Sequence, residues 1–402
     1  MTSEWHEVPL RELVGYISKG IAPSYAEEAS ETTIRVLNQK CNRNFRISYG
    51  DSRLHDTLKK KVPPERYVKP DDILINSTGA GTAGRIAQIE DVPSATTIDG
   101  HMILIRSNGK VTQKFLGYAL KAHQWEVLQL DEGSTGQTEL NRDRLLDEIM
   151  INYPVSFDEQ NAIVGTLESI DRKLIVNKEI NDNLEQQAQA IYHERFETVS
   201  PNDLPSDWRI VTLGEVATIS NKSFNPLKEP EILLEHYSIP AFDEARFPVF
   251  ELSTSIKSNK FIIDASCFMI SKLNPTTKRV WKPYCLTGNA VCSTEFIVYK
   301  AKDQSITDFL YSVIDSGSFS DFMCSHVTGS TGSRQRTTPS DTLSYELILP
   351  SEDELAEFQS LVSPMYAQMR INAIESDKLK RLRDSLLPKL MSGEIDVSSV
   401  HL

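Results

Sequence analysis

The stretch SFDEQNAIVGTLESIDRKLIVNKEINDNLEQQAQAIYHERF, from Ser156 to Phe196, is typical of one long amphipathic helix. Ser156 is a predicted N-cap, with Glu159 three residues later. Apolar side chains then recur at steps of four and three, the spacing of a coiled-coil seam, at Ile163, Leu167, Ile170, Leu174, Leu184, Ala188 and Ile191. A helix of about 40 residues would be roughly 60 Å long, and its apolar stripe must be buried against another element.

A second long helix is predicted after Ser351, its proposed N-cap. Its stripe consists of Leu361, Met365, Met369, Asn372, Leu379, Leu386 and Leu390. Pro364 is expected to break or kink this helix early, and Pro388 to do so near its end. The simplest burial is one long helix against the other. Because a globular segment lies between them, the chain can return and pack them antiparallel, with the globular domains at opposite ends of a helical rod.

Two asparagines, Asn177 and Asn181, interrupt the seam of the first helix. Two interpretations are open. Asn177 facing the region of Asn372 could fix the register of the two helices, because a polar residue in a seam specifies alignment. Alternatively, both are surface residues on imperfect heptads.

The chain uses one unit twice. WHEVPLRELVGYIS begins at Trp5, and the similar WRIVTLGEVATIS begins at Trp208. GSTG occurs at 133–136 and again at 329–332. The predicted boundaries are 1–155 for the first globular domain, 156–200 for the first helix, 201–350 for the second globular domain and 351–402 for the second helix.

The globular domains are predicted to mix strands with short helices. Apolar runs predict strands at IRVLNQ, DDILIN, GRIAQI and HMILIRS in the first copy, and at FIIDAS, CFMIS and EFIVYK in the second. The predicted fold class is therefore α+β: two mixed α/β domains are joined by two long antiparallel coiled-coil helices, with an internal pseudo-two-fold repeat.

Three glycines, Gly79, Gly81 and Gly84, have the spacing G-x-G-x-x-G of a cofactor-binding turn. Such a turn needs a helix after it, because the helix N-terminus carries the anion. RIAQIEDVPSA follows instead, which predicts a strand, and the second copy replaces the glycines with NPTTK while keeping Arg279 against Arg85. We therefore predict a Gly-rich hairpin. The alternative, an enzyme that uses this loop, would require the isolated chain to bind S-adenosylmethionine.

Composition narrows the classes of function. A formal net charge of −13 argues against gripping nucleic acid by charge alone, so any such role rests on local basic patches or on a partner. Five cysteines without a C-x-x-C pair favour a reducing compartment and argue against a zinc module. The sequence shows neither a signal peptide nor a membrane-spanning run, so the predicted localisation is cytoplasmic. Phosphate-loop, nucleophile-elbow and metal-ligand patterns are absent, which indicates a recogniser and not a catalyst.

The order of these features resembles one known family, the specificity subunit of bacterial type I restriction–modification enzymes. The resemblance spans the whole chain. It rests on ILINSTGAGTAGRIA, the two GSTG loops, INYPVSFDEQNAIV before a helix, and LLPKLMSGEI at the end of the second helix. It implies that each globular domain is a target-recognition domain that reads one half of a bipartite sequence in double-stranded DNA. NPTTK in place of GAGTAG implies that the two domains read different half-sites.

The resemblance also implies partners. The long helices would act as a ruler and dock two methyltransferase (modification) subunits, and motor–nuclease (restriction) subunits would join the complex. S-adenosylmethionine would be bound by the methyltransferase partner, so we expect no cofactor, metal or catalytic residue in this chain. The alternative is a duplicated protein–protein adaptor that does not bind DNA.

Recognition faces need side chains that reach base edges, with Arg directed to guanine and Asn or Gln to adenine. The candidates in the first half are Asn38, Gln39, Lys40, Asn42, Arg43, Ser77, Thr78, Arg85, Gln137, Asn141 and Arg142. Those in the second half are Lys222, Asn225, Lys272, Lys278, Arg279, Arg334, Gln335 and Arg336. The predicted partner and rod residues are Ile163, Leu167, Ile170, Leu174, Asn177, Leu184, Ile191, Met365, Met369, Asn372, Leu379 and Leu386. The basic run 377–389 is interpreted as a solvated or partner-facing surface, with a DNA patch as the alternative.

Overall fold

The structure, a computed structural model, describes residues 4–79, 81–132, 139–200, 202–328 and 335–400. The chain forms two compact units. Unit 1 contains the residues up to 173 and those from 379 onwards, and unit 2 contains residues 174–378. Each long helix contributes residues to both units.

The elements of unit 1 begin with a strand at the N-terminus. Its strands are β1 (Trp5–Pro9), β2 (Val14–Lys19), β3 (Tyr25–Ala26), β4 (Thr33–Leu37), β5 (Asn42–Arg43), β6 (Arg46–Ile47), β7 (Arg53–Asp56), β8 (Ile73–Asn76), β9 (Ile86–Gln88), β10 (Thr96–Ile98), β11 (Met102–Ser107), β12 (Asp131–Glu132), β13 (Glu139–Leu140) and β14 (Met150–Pro154). Its helices are α1 (Gln113–Ala122), α2 (Gln124–Val127) and α3 (Arg142–Glu148), and the first long helix, α4 (Phe157–Tyr192), starts here.

Unit 2 has a similar succession of elements. Its strands are β15 (Arg209–Thr212), β16 (Ala217–Ile219), β17 (Ser223–Phe224), β18 (Leu233–Tyr237), β19 (Val249–Leu252), β20 (Lys260–Ile262), β21 (Cys267–Ser271), β22 (Val280–Trp281), β23 (Ala290–Ser293), β24 (Phe296–Ala301), β25 (Val327–Thr328), β26 (Arg336–Thr337) and β27 (Glu346–Leu349). Its helices are α5 (Leu213–Val216), α6 (Ile239–Ala245), α7 (Thr307–Ile314) and α8 (Gly317–Ser325), followed by the second long helix, α9 (Glu352–Met391).

The two units share the topology of one sheet and differ in the other. An antiparallel sheet has the order β2–β11–β8–β9 in unit 1 and β16–β24–β21–β22 in unit 2. A second sheet has the order β10–β4–β7–β3 in unit 1 and β17–β20–β23–β18–β19 in unit 2. The first strand of each unit pairs with the strand that precedes a long helix, β1 with β14 and β15 with β27. The sequence repeat is therefore accompanied by a repeat of the first sheet and of the strand pair before each long helix, whereas the second sheet has four strands in unit 1 and five in unit 2. Each predicted strand segment contains a strand.

The core of unit 1 joins its sheet to the ends of both long helices. Phe115 of α1 is fully buried in this cluster. Ile163 and Leu167 enter it from α4, and Leu387 and Leu390 enter it from α9. Burial of these side chains is the main stabilising term for the long helices in this unit, because apolar burial contributes more than helix propensity.

The core of unit 2 is aromatic where the long helices meet the domain. Phe196 lies 5.2 Å from Phe358 and 5.4 Å from Phe309 between ring centroids, with both pairs near edge-to-face. Tyr192 also packs against Phe358 in this cluster. Such pairs stabilise by about 0.5–1.5 kcal/mol beyond the area that they bury.

The long helices pack antiparallel within unit 2. Arg195, in the π-helical turn His193–Glu197 after α4, donates to Glu354 at 2.7 Å, and Asn181 donates to the Met369 carbonyl at 3.1 Å. Residue numbers thus fall along one helix as they rise along the other. The predicted fold class is confirmed.

The asparagines lie in the seam, not on the surface. The Asn177 amide donates to Glu375 at 2.7 Å and to Ser376 at 3.2 Å, and Asn177 is only 1% exposed. Asn372, which is also buried, donates to Asn181 at 2.8 Å. A shift of one turn would leave these buried amides without partners, which is unfavourable. The interpretation that both are surface residues is wrong, and Asn177 faces the region of Asn372 as the other interpretation expected; that these bonds fix the register stays a prediction.

The remaining rod positions follow the predicted stripe. Ile163, Leu167 and Ile170 are buried, whereas Leu174, Leu184, Ile191, Met365, Met369, Leu379 and Leu386 are half-buried. Leu361, which the stripe also included, is exposed.

Both long helices begin at the predicted caps. The backbone N–H of Glu159 donates to the Ser156 hydroxyl at 3.4 Å, and that of Glu354 donates to the Ser351 hydroxyl at 3.3 Å. Among the described residues, no helix is both long and apolar enough to cross a membrane.

The expectation of a break at the prolines of the second long helix is wrong, whereas a kink at either proline stays a prediction. Helix α9 continues through both Pro364 and Pro388. A proline removes one backbone donor and crowds the carbonyl four residues earlier. Both prolines are exposed, so water can bond the carbonyl that loses its partner.

Candidate nucleic-acid interface

The glycine motif of unit 1 forms the turn of a hairpin between β8 and β9. The backbone N–H of Asn76 donates to the Arg85 carbonyl at 2.9 Å, and that of Gly84 donates to the Asn76 carbonyl at 2.8 Å. The residues after Gly84 form strand β9, so a helix N-terminus does not follow the turn. This arrangement is the predicted hairpin and lacks the geometry of a phosphate-binding turn.

A dinucleotide-binding turn is followed about 20 residues later by an acid that binds the ribose, and Asp99 is the acid that lies nearest to that position in this chain. Asp99 is buried and accepts a hydrogen bond from the backbone N–H of His101 at 2.9 Å. Burial raises the pKa of the Asp99 carboxyl. Its contacts are those of a turn-forming residue.

Two of the glycines allow a matched test of the hairpin. Gly84 and Gly81 both have positive φ, 83° and 69°, and a Cβ in that conformation costs about 1–2 kcal/mol. A Cβ on Gly84 would also lie 2.9 Å from the Val127 carbonyl oxygen, whereas nothing lies within 4 Å of a Cβ on Gly81. We expect Gly84→Ala to destabilise unit 1 by about 2–4 kcal/mol and Gly81→Ala by about 1 kcal/mol in urea unfolding.

Neither substitution should change S-adenosylmethionine binding by an assembled methyltransferase complex. Equal destabilisation by the two alanines would show that the close approach of the Val127 carbonyl to Gly84 does not affect stability. A selective loss of cofactor binding in Gly81→Ala would restore the cofactor interpretation.

Three segments that are distant in sequence meet at this hairpin. The Asn76 side chain donates to the Gln39 carbonyl at 3.1 Å, which ties the hairpin to the loop 38–43. On another side, the backbone N–H of Leu140 donates to the Ser77 carbonyl at 2.7 Å, and a β-bridge joins Thr78 to the neighbouring residue 139. The first-half candidates are therefore brought together around one turn.

Four cationic candidates remain available around the turn. Lys40, Arg43 and Arg142 are exposed, and Arg85 is half-buried. Arg85 donates from Nη2 to the Gly81 carbonyl at 3.2 Å. Within the described ranges, no carboxylate forms an ion pair with any of these four side chains. Together they form the unit 1 basic rim, defined as Lys40, Arg43, Arg85 and Arg142.

Two other first-half candidates are buried and need correction. Asn42 is 1% exposed and donates to the Arg85 carbonyl at 2.8 Å and to Asn76 Oδ1 at 3.2 Å. Ser77 is fully buried. In this conformation neither side chain can reach a base, because each is buried. Asn42 supports the hairpin instead, and the Ser77 hydroxyl donates to the Gly100 carbonyl at 3.5 Å.

The remaining polar candidates of unit 1 hold local structure. The Asn38 side chain accepts from the backbone N–H of Lys40 at 2.8 Å. The Asn141 side chain caps α3 by accepting from the backbone N–H groups of Asp143 and Arg144, both at 3.0 Å. Thr78 lies 2.7 Å from His101 Nδ1 and 3.4 Å from the Gln39 side-chain oxygen. These bonds shape the loops that carry the basic rim.

Unit 2 has the equivalent hairpin between β21 and β22. The backbone N–H of Ser271 donates to the Arg279 carbonyl at 2.9 Å, and the turn begins at Asn274, which has a φ of 50°. A β-bridge joins Leu273 to Arg336, as residues 78 and 139 are joined in unit 1. The prediction that the two motifs correspond without sharing glycines is supported by this geometry.

The basic candidates of unit 2 are mostly paired with acids. Arg279 donates to both carboxylate oxygens of Asp243 at 2.6 and 2.8 Å. Lys278 lies 2.9 Å from the buried Asp315 carboxylate. Arg336 forms a similar bidentate pair with Glu295 at 3.0 Å. The equivalence that the sequence predicted between Arg85 and Arg279 therefore fails for their side chains, since an ion-paired guanidinium must first be released.

The other second-half candidates have varied environments. Lys222 is exposed and Lys272 is half-buried, and in the described part of the chain neither forms an ion pair. Asn225 caps a short 3-10 turn by accepting from Leu227 at 3.1 Å. The Gln335 carbonyl accepts from the backbone N–H of Asn274 at 2.9 Å. Gln137, Arg334 and both GSTG loops lie outside the described residues.

Three kinds of residue that shape this interface were not predicted from the sequence. The acids that pair with the basic residues of the second hairpin region are Asp243, Asp315 and Glu295. No sequence pattern around these acids predicts that role. His101, beside Thr78, lies at the start of a predicted strand. Gln124 of α2 bonds the backbone of the first hairpin, and only tertiary contact reveals it. Among the described residues, no group of three or more His, Cys, Asp or Glu side chains is placed to hold a metal ion.

The chain is similar in sequence to known proteins. Residues 2–186 match the family model described as the type I restriction modification DNA specificity domain. The chain is 25% identical over 384 residues to the type I restriction enzyme MjaIX specificity subunit of Methanocaldococcus jannaschii, an alignment that covers 88% of this chain and 84% of that protein. It is 31% identical over 93 residues to the type I restriction enzyme HindI specificity subunit of Haemophilus influenzae, covering 23% of this chain and 20% of that protein.

A solved structure has the same fold. The S subunit of a type I restriction-modification system from M. genitalium aligns with a TM-score of 0.59 at 16% identity, covering 97% of this chain and 96% of that chain. The resemblance to type I specificity subunits is thereby confirmed at the level of sequence similarity and fold.

Proposed function

We propose that this chain, whose residues 2–186 match the model of the type I restriction modification DNA specificity domain, recognises the DNA target of a type I restriction–modification complex. Each unit would read one half-site of a bipartite sequence. The observation that carries the proposal is the repeated four-stranded sheet, which ends in a hairpin in both units. In unit 1 that hairpin is surrounded by the basic rim.

The charge distribution supports local recognition. The chain as a whole is acidic, so phosphate attraction cannot come from its net charge. Cations gathered at one turn can contact phosphates and base edges even on an acidic protein. The acids that neutralise the unit 2 hairpin support a second half-site that is read differently. Half-sites presented on one side of a duplex would lie on the order of one helical turn apart, about 10 base pairs.

The long helices would dock the partners. Exposed apolar side chains lie on their middle parts within unit 2, with Val176 38%, Ile180 40% and Ile371 55% exposed. Such residues support binding of methyltransferase subunits, because a partner helix would bury them. Those two subunits would bind S-adenosylmethionine and methylate adenine, and motor–nuclease subunits would join them. The complex would act in the cytoplasm.

A domain exchange tests the proposal. Residues 1–150 are replaced by the equivalent domain of another specificity subunit, and the altered chain is expressed with its methyltransferase partner. Because each hairpin site is built within one unit, we expect one half of the modified sequence to change and the other to stay. Sequencing of modified adenines in the host measures both halves.

The control is the unaltered chain with the same partner. If both half-sites change together, independent reading by the two units is wrong. If neither chain directs modification to any sequence, the chain is better explained as an adaptor that joins proteins without reading DNA.

A further inference from the structure

The backbone around Arg85 is held by amide side chains from two directions. Gln124 of α2 accepts from the backbone N–H of Ile86 at 2.9 Å through Oε1. The same side chain donates from Nε2 to the Gly84 carbonyl at 2.8 Å. One glutamine thus bonds the residues on both sides of Arg85, and the close packing of α2 on Gly84 keeps it there.

The opposite side of the hairpin is held by Asn42. Its Nδ2 donates to the Arg85 carbonyl at 2.8 Å, and the side chain is buried. The Asn76 amide continues this contact to the loop that carries Lys40, by donating to the Gln39 carbonyl at 3.1 Å. Three consecutive residues, 84–86, therefore have their backbone polar groups bonded by side chains from other elements.

The Arg85 side chain is bonded far less than its backbone. Its guanidinium contacts the Gly81 carbonyl, and no carboxylate in the described ranges lies within ion-pair distance. The aligned Arg279 of unit 2 is instead fixed by two bonds to Asp243. A rigid backbone with an available guanidinium is the arrangement that bidentate reading of a base edge requires.

We propose that Arg85 is a specificity-determining residue of the first half-site, directed at a guanine, and that Gln124 and Asn42 are positioning residues that hold it. This inference rests on the proposed function and names the residue and base class within it. Arg contacts guanine O6 and N7 with two parallel hydrogen bonds, so an error in the direction of the Cα–Cβ bond is costly to discrimination. The amide clamp, defined as Gln124 and Asn42, fixes that direction before DNA binds.

The experiment measures base preference in the complete complex. The full chain is expressed with its methyltransferase subunits, and a DNA library randomised over both half-sites is scored for methylated adenine. Gln124→Ala should lower the preference for guanine at one position of the first half-site on the order of ten- to a hundred-fold. Arg85→Lys should affect the same position, because an ammonium cannot bond both acceptors in the fixed fork geometry. The second half-site should be unchanged in both variants.

Matched variants separate positioning from stability. Gln88 makes the same kind of bonds at the other end of the hairpin, donating to the Asp71 and Gln113 carbonyls at 2.9 and 3.0 Å. Gln88→Ala should therefore lower the melting temperature with the base preference intact. Gln124→Glu keeps an acceptor for Ile86 but places a second carboxylate oxygen against the Gly84 carbonyl. Gln124→Glu should therefore lower the preference for guanine in the first half-site, as Gln124→Ala does.

The possible results distinguish the amide clamp, the role of Arg85 and the proposed function from one another. A folded Gln124→Ala complex with wild-type preference at every first-half position would overturn the clamp and leave the proposed function intact. Unchanged preference in Arg85→Lys, which alters no core side chain, would overturn the role of Arg85 even if the glutamine variants fail to fold. A wild-type complex that methylates without sequence preference would overturn the proposed function as well.

Discussion

Asp171→Ala is expected to destabilise unit 1 by about 3–5 kcal/mol, because it removes the shared carboxylate from two largely buried cations, one of which has no other carboxylate partner among the described residues. The Asp171 carboxylate accepts from Arg383 of α9 at 2.9 Å and from Lys121 of α1 at 3.1 Å. The Tyr118 hydroxyl donates to it at 2.9 Å. One carboxylate therefore connects both long helices to the domain. Hydrogen exchange in α1 and in the ends of α4 and α9 measures the local loss.

The pKa values of this cluster set the pH range of the effect. Burial raises the pKa of Asp171, but the Lys121 and Arg383 cations outweigh it, so the pKa lies below its ordinary value. The pKa of Lys121 also lies below its ordinary value, because burial lowers it more than the Asp171 charge raises it. A depressed carboxyl pKa stabilises the folded state above the ordinary Asp range, and this stability is lost as pH falls through the folded pKa. The wild-type advantage should thus be complete at neutral pH.

Asp384 provides the control. It also bonds Arg383, at 2.7 Å, but its side chain is 54% exposed, so water can replace it. Asp384→Ala should cost less than about 1 kcal/mol. Similar losses for the two variants would mean that burial of the charge cluster is not what makes Asp171 important.

A fragment of residues 1–200 is expected to be a homodimer. It lacks the end of α9, whose Leu387 and Leu390 pack with Ile163 and Leu167 in the unit 1 core. Exposure of this stripe to water is unfavourable. The repeat offers a replacement, because helix α4 resembles α9 at an offset of 195 residues. A second copy, packed antiparallel through a two-fold axis, can cover the stripe with its own helix.

The asparagines make this pairing specific. Asn372 bonds Asn181 in the full chain, and the repeat aligns Asn372 with Asn177. In the dimer, Asn177 of each copy can therefore bond Asn181 of the other. Two copies of one target-recognition domain should then direct methylation to a palindrome of one half-site and its inverse. Light scattering measures the association, and adenine sequencing with the methyltransferase partner reads the site.

Either of two results would contradict this prediction. A folded monomer at micromolar concentration would show that the stripe does not need a helical partner. A dimer that methylates the original asymmetric site would show that one half-site does not belong to one domain.

The long helices, the duplication and the glycine hairpin could be predicted because each depends on neighbours along the chain. Apolar spacing decides which face of a helix is buried, and Ser156 and Ser351 supply the caps that begin each helix. The alternating residues after Gly84 favour a strand whatever surrounds them. Repetition of the pattern then implied the repeat of topology, and Asn177 in a seam gave the register as one of two interpretations.

Whether a charged side chain can bind a ligand or is already paired with an acid, in contrast, was decided only by the tertiary structure. Arg85 and Arg279 occupy matching positions in the repeat, yet Asp243, which binds Arg279, lies 36 residues away in sequence. Asn42 looks like a surface amide in sequence, and becomes a buried support because strands β8 and β9 pack on it. Hydrogen bonds and ion pairs act over a few ångströms, so partners distant in sequence are set by how sheets and helices pack. Local sequence therefore determined where the hairpins form, and packing determined which of their side chains can reach a ligand.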